Sequence, residues 1–148
     1  MPLPERLNSV WWVLKIGLGL GPFVAGLDKF FNLLTDWKMY LSPMAERLLP
    51  INGNTFMRGV GVLEMIVGLA ILTRWTRVGS YFAMAWLLAI AANLVTTGMF
   101  FDLAFRDLEI ALACFTLARL TEVRHSLSRP ESTTVESFSA LRQKGASA

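Results

Sequence analysis

The sequence predicts an all-α membrane protein: four transmembrane helices in an antiparallel bundle, with an interfacial helix between the first and the second. Three observations lead there. Of 148 residues, 54% are hydrophobic and 17% charged, against about 25% charged in soluble domains. Four apolar segments follow one another, each approaching the ~20 residues needed to cross a ~30 Å hydrocarbon core. The connections between the last three segments are short, which forces antiparallel neighbours. This composition excludes a disordered chain, a collagen-like chain and a disulfide-stapled secreted domain.

The first span covers about residues 10–34, interrupted by Lys15 and by Asp28-Lys29. It outlasts a signal-peptide core and lacks a small-residue cleavage site, so a retained helix is expected. Gly17, Gly19 and Gly21 with Pro22 allow close helix contact and a kink. Residues 36–49 are expected to form a helix on the membrane surface, with a packed loop covering the helix ends as the alternative. Trp37, Tyr40, Leu41, Met44 and Leu48 recur there at helical spacing, and Trp and Tyr favour the bilayer interface. Ser42-Pro43 can restart a turn, and Pro50 ends the segment.

The second span is read at about 55–73 and the third at 78–101, the third free of charge throughout. Arg74-Trp75-Thr76-Arg77 makes a tight basic link between them. Thr97-Gly98 opens a short turn into the fourth span, 103–120, with Asp102 available as its N-cap. The membrane domain is therefore 1–120. Residues 121–148 are polar and Ser-rich, a cytoplasmic tail with a short helix expected around Val135 to Gln143. The tail is the expected contact with other subunits of a membrane complex.

The charge balance, 14 Lys+Arg against 11 Asp+Glu, gives +3. In a membrane chain this marks cytoplasmic flanks, not nucleic-acid binding. Arg6, Arg74, Arg77, Arg124, Arg129, Arg142 and Lys144 share one side, and Lys38 and Arg47 the other. Positive-inside then places both termini in the cytoplasm of a multi-pass protein of the bacterial inner membrane. A single cysteine, Cys114, excludes an intramolecular disulfide and dithiol chemistry. A single histidine, His125, excludes bis-His haem ligation and a His-rich metal site within one chain.

Ionisable groups inside a membrane are costly and are functional candidates by default. Counting at 1.5 Å per residue puts Asp28 and Lys29 roughly 8–9 Å below the outer surface, Arg58 roughly 5 Å and Glu64 roughly 13 Å. Asn93 falls near the outer end of the third span, and Arg106, Asp107 and Glu109 in the first turns of the fourth. All four spans thus bring polar groups to one layer, with cations and carboxylates nearly balanced. Such a cluster suits an ion-pair network that fixes helix register. It also suits a site for a quinone ring or lipid headgroup, or a proton path with Glu64 as its deepest acid. No catalytic residue, resident cofactor or metal site is read from the chain.

Gly26-Leu27-Asp28-Lys29-Phe30 resembles the G-x-x-K-[FL] segment of DoxX-like membrane proteins. Phe56-Met57-Arg58-Gly59-Val60-Gly61-Val62-Leu63-Glu64 resembles that family's R-x-x-G-x-x-E entry to its second helix, followed here by Gly68. Leu103-Ala104-Phe105-Arg106-Asp107-Leu108 resembles the R-D-L start of its fourth. The resemblance spans about residues 10–120 and implies a four-helix bundle associated with membrane redox systems. It supplies no catalytic mechanism.

The resulting expectation is a non-catalytic accessory subunit of a larger bacterial membrane complex, redox or bioenergetic. The alternative is a membrane subunit of a quinone- or thiol-linked oxidoreductase, with a ligand pocket lined by Arg58, Arg106 and Glu64. A dimeric small-solute exporter comes third, without an internal repeat to support it.

Overall fold

The computed structural model describes residues 5–48 and 50–128, which are helix and connecting turn with no strand among them. In chain order the elements are α1 (Glu5–Asp28), a 3-10 turn (Trp37–Tyr40), the short helix α2 (Pro43–Leu48), α3 (Gly53–Leu72), α4 (Thr76–Thr96) and α5 (Phe101–Ser128). The four long helices close a ring: α1 packs on α3, α3 on α4, α4 on α5, and α5 back on α1. Every contact is antiparallel. Gly26 meets Gly61 while Gly19 meets Gly68, Trp11 reaches Thr121, and Tyr81 reaches Glu122. The bundle therefore has a near end, where α1 begins, and a far end, where α1 stops.

Among the described residues three helices, α1, α3 and α4, are long and apolar enough to cross a membrane. The 20 residues of α3 cover about 30 Å at the α-helical rise. α5 does not meet that measure, although the sequence suggested a fourth span over 103–120. It carries Arg106, Asp107 and Glu109 in its first turns and Arg119, Glu122 and Arg124 near its end. It also continues to Ser128, well past the apolar segment. Thr121 is buried against Trp11, and the Arg124 guanidinium lies 4.0 Å from the Trp11 ring, so the packing stripe outlasts the apolar run. The rest of the expected tail, 129–148, with its helix at 135–143, lies outside the described residues.

Two other boundaries move for local reasons. α1 ends at Asp28, not near Leu34, because the Asp28 carboxylate takes the backbone N–H of Leu33 and Leu34 and draws the chain back. Asn32 turns the corner with φ 52°. α4 stops at Thr96, ahead of the expected 101, where Gly98 (φ 70°) and Phe100 (φ 52°) reverse the chain. α5 consequently begins at Phe101, and Asp102 sits inside its first turn instead of capping it.

The expected interfacial helix is broken into two pieces. Ser42 precedes Pro43, and a residue before proline is pushed out of the helical region. The first piece closes as the 3-10 turn with Asp36 capping the Lys38 N–H. The second starts afresh with Pro43 in its first turn and the Ser42 hydroxyl accepting the Ala45 N–H.

Small residues hold the seams together. On α5 the buried positions Ala104, Asp107, Ala111, Cys114, Ala118 and Thr121 alternate three and four apart, a heptad stripe that faces its neighbours. α3 presents Val60, Glu64, Val67 and Ile71 in the same rhythm. Between α1 and α3 the backbones touch at two glycine pairs one heptad apart, Gly19 with Gly68 and Gly26 with Gly61. Gly17 and Gly21 point outward with nothing within 4 Å of where a Cβ would stand. A core of Trp11, Val67, Ile71, Ala83, Cys114 and Leu117 fills the near half, and Ala91, Leu94 and Ala104 fill the far half.

Candidate functional site

The far end is where the buried charges gather. Lys29 follows directly on the last residue of α1, and Glu64 occupies an inward heptad position on α3. Their side chains meet at 2.5 Å and are almost wholly enclosed, 4% and 10% exposed. The Lys29 ammonium also stands 3.7 Å from the centre of the Trp37 ring, a cation–π contact that shields it from above. The Trp37 indole N–H donates to Asp28 Oδ2 at 2.8 Å. Asp28 is thereby committed to the fold, since its oxygens hold Trp37 and the turn at Leu33 and Leu34 in place over the pair.

α4 and α5 complete the enclosure. The buried Trp86 indole N–H on α4 faces the Glu64 carboxylate without reaching hydrogen-bond geometry. Asp107, buried on α5, lies within electrostatic reach of both Lys29 and Glu64. Its carboxylate is held by Arg106 at 3.1 Å, whose own side chain is 59% exposed. Asn93 serves the lid instead of the charges. Its amide donates to the Tyr40 carbonyl at 2.8 Å and accepts the Ser42 N–H at 3.3 Å. Tyr40 packs edge-on against Phe100. The segment that the sequence suggested for the membrane surface packs as the cover of the charged layer.

Of the eight residues singled out in the sequence, Asp28, Lys29, Glu64 and Asp107 come together as buried groups, and Arg106 joins them from the rim. Arg58 and Glu109 do not join: both are exposed and neither makes an ion pair among the described residues. Helical rotation explains the sorting. Glu109 lies two residues past Asp107, about 200° further around the helix, and Arg58 lies off the stripe that contains Glu64. Of the three residues expected to line a pocket, Glu64 is buried against Lys29, whereas Arg58 and Arg106 are exposed. A cleft of about 90 Å³ takes in Arg58 and Lys29 but neither of the others.

Neither a family model, a curated protein nor a solved structure matches this chain.

The near end answers a different need. Lys15, buried on α1, donates to the Thr73 carbonyl at the C-terminus of α3 at 2.8 Å, beside the Thr76 hydroxyl that donates to the same oxygen, where a cation complements the helix dipole. It is thereby engaged in capping. Glu122 joins Arg77 at 2.9 Å and Arg119 at 2.6 Å and accepts from the Tyr81 hydroxyl. No group of three or more His, Cys, Asp or Glu side chains that could hold a metal occurs among the described residues. Sequence reasoning missed Trp37 as a partner of the buried pair and Trp86 as its neighbour. The sequence shows Trp37 as part of an apolar stripe with an interfacial preference, and Trp86 sits in a run whose hydropathy hides its N–H.

Proposed function

We propose that this chain is a non-catalytic accessory subunit of a larger bacterial membrane complex. One observation carries the reading: the buried charges at the far end are directed at one another and at their own lid. Lys29 is closed by Glu64 and Trp37, and Asp28 by Trp37 and the backbone of the turn. A layer built this way sets helix register and stops short of enclosing a substrate-sized space. Meanwhile α1, α3 and α4 turn large apolar side chains outward, Val13, Val24, Ile66 and Leu88 among them, a surface suited to lipid and to neighbouring transmembrane helices.

On this reading α5 completes a four-helix bundle within the membrane, its charges at the two ends and its heptad of small residues between. The charges at the two ends support one orientation. Arg74, Arg77, Arg119 and Arg124 crowd the near end, and a Lys/Arg excess favours the cytoplasmic face, which supports reading both termini as cytoplasmic. Association with a redox complex rests on the resemblance of Lys29, Arg58, Gly61, Glu64, Arg106 and Asp107 to the DoxX-like motifs.

The test is extraction of the full-length protein from its native membrane in a mild detergent, followed by native separation and identification of co-purifying proteins. The expected result is a particle well above 16.5 kDa with a reproducible set of membrane subunits. Recovery as a lone monomer after gentle extraction would overturn the proposal.

A further inference from the structure

The far end holds a second feature, separate from the closed pair. Between the 3-10 turn and the first turns of α3 lies an open cleft of about 90 Å³, lined by Asp36, Trp37 and Lys38 from the turn, by Asn54 and Arg58 from α3, and by Lys29. Lys38 and Arg58 are exposed, and neither makes an ion pair among the described residues. Asp36 faces the same space, but its carboxylate accepts the Lys38 backbone N–H as a cap. Lys29 is neutralised from behind by Glu64. The lining therefore holds more positive than negative charge, and two of its cations have no ion-pair partner among the described residues.

We propose that this cleft binds one phosphate-type oxyanion between the Lys38 ammonium and the Arg58 guanidinium. Like charges lining a narrow polar notch repel one another, and an oxyanion between them turns that repulsion into two charge-assisted hydrogen bonds. The guanidinium fork matches two oxygens of such a group, and the ammonium acts as a point charge. The Asn54 amide adds a neutral donor. The volume admits one small tetrahedral group, far below the roughly 300–1,000 Å³ of a pocket that encloses a drug-sized ligand. On the membrane reading the cleft sits at the level of Trp37 and Tyr40, an interfacial pair, so the same chemistry can arrive as a lipid headgroup phosphate or as a free phosphate ion. Binding here does not depend on whether the chain joins a larger complex.

The experiment uses the full-length chain and reads unfolding through the reaction of Cys114, its single thiol, with a fluorogenic maleimide. One arm titrates inorganic phosphate against chloride at constant ionic strength in nonionic detergent. The other compares nanodiscs of phosphatidylcholine alone with nanodiscs containing equal parts of phosphatidylcholine and phosphatidylglycerol. Lys38→Gln and Arg58→Gln are exposed changes that leave the buried layer intact, and Arg74→Gln at the near end is the charge-matched control. The expected result is stabilisation in at least one arm, with the half-saturation point moved about tenfold by each cleft substitution, equivalent to about 1.4 kcal/mol, and unmoved by Arg74→Gln. A response to phosphate in detergent assigns a free oxyanion, and one confined to phosphatidylglycerol assigns a headgroup. No response in either arm, a response that survives the double substitution, or one reduced equally by Arg74→Gln overturns the proposal.

Discussion

Replacing Gly61 by alanine should loosen the α1–α3 seam, and the same change at Gly17 should not. A Cβ placed on Gly61 would stand 2.5 Å from the Gly26 carbonyl oxygen, 3.1 Å from Lys29 Cβ and 3.3 Å from Phe30 Cε2. The first of these is backbone, so no side-chain rotation relieves it, and the helices must part. A gap of about 0.5–1 Å forfeits roughly a quarter to a half of each dispersion contact along the seam. Overpacking of this kind costs about 1–3 kcal/mol, and alanine's better helix propensity returns about 1 kcal/mol at most. The net effect is a loss of up to about 2 kcal/mol. At Gly17 nothing lies within 4 Å, so only the propensity gain operates. The assay is thermal unfolding in one detergent, read by maleimide capture of Cys114, which is 1% exposed in the folded chain. Gly61→Ala should melt lower than the parent and Gly17→Ala at or above it. Equal shifts, or a Gly61→Ala that melts higher, would refute the close-contact reasoning.

Three further outcomes follow from the same geometry. Lys29→Met or Glu64→Leu strands a buried charge, at about 3–5 kcal/mol by analogy with soluble pairs; the double substitution should recover most of the loss in the same melt, while Arg58→Leu should stay close to the parent. Trp37→Phe removes the N–H that Asp28 accepts, a bond to a charged group worth about 1.5–3 kcal/mol, so limited trypsinolysis should cut faster after Lys38 or Arg47 than in the parent. Ala111→Leu overfills the packed face of α5, where Ala111 is 2% exposed, and should lower stability by about 1–3 kcal/mol; Leu112→Ala, on the outward face, should leave the melting temperature of detergent-solubilised protein nearly unchanged.

Much of the architecture was legible in one dimension because it follows from local chemistry. Apolar run lengths announce helices long enough to cross a bilayer, Arg74-Trp75-Thr76-Arg77 leaves too little chain for anything but an antiparallel hairpin, and the breaks at Pro43 and Gly98 come from backbone restrictions at single residues. The convergence of Lys29, Glu64 and Asp107 was foreshadowed by their similar distances from helix ends. Their pairing was not. Which charged groups turn inward depends on the rotation of each helix about its own axis, and that rotation is set by where two backbones can approach. Here Gly19 and Gly26 meet Gly68 and Gly61, whereas the more conspicuous Gly17 and Gly21 face outward. Composition shows how many charges a helix carries. Only the packed structure decides that Glu64 is closed by Lys29 under Trp37 while Arg58, six residues away, stands open beside Lys38, because a shift of one residue turns a side chain by about 100°.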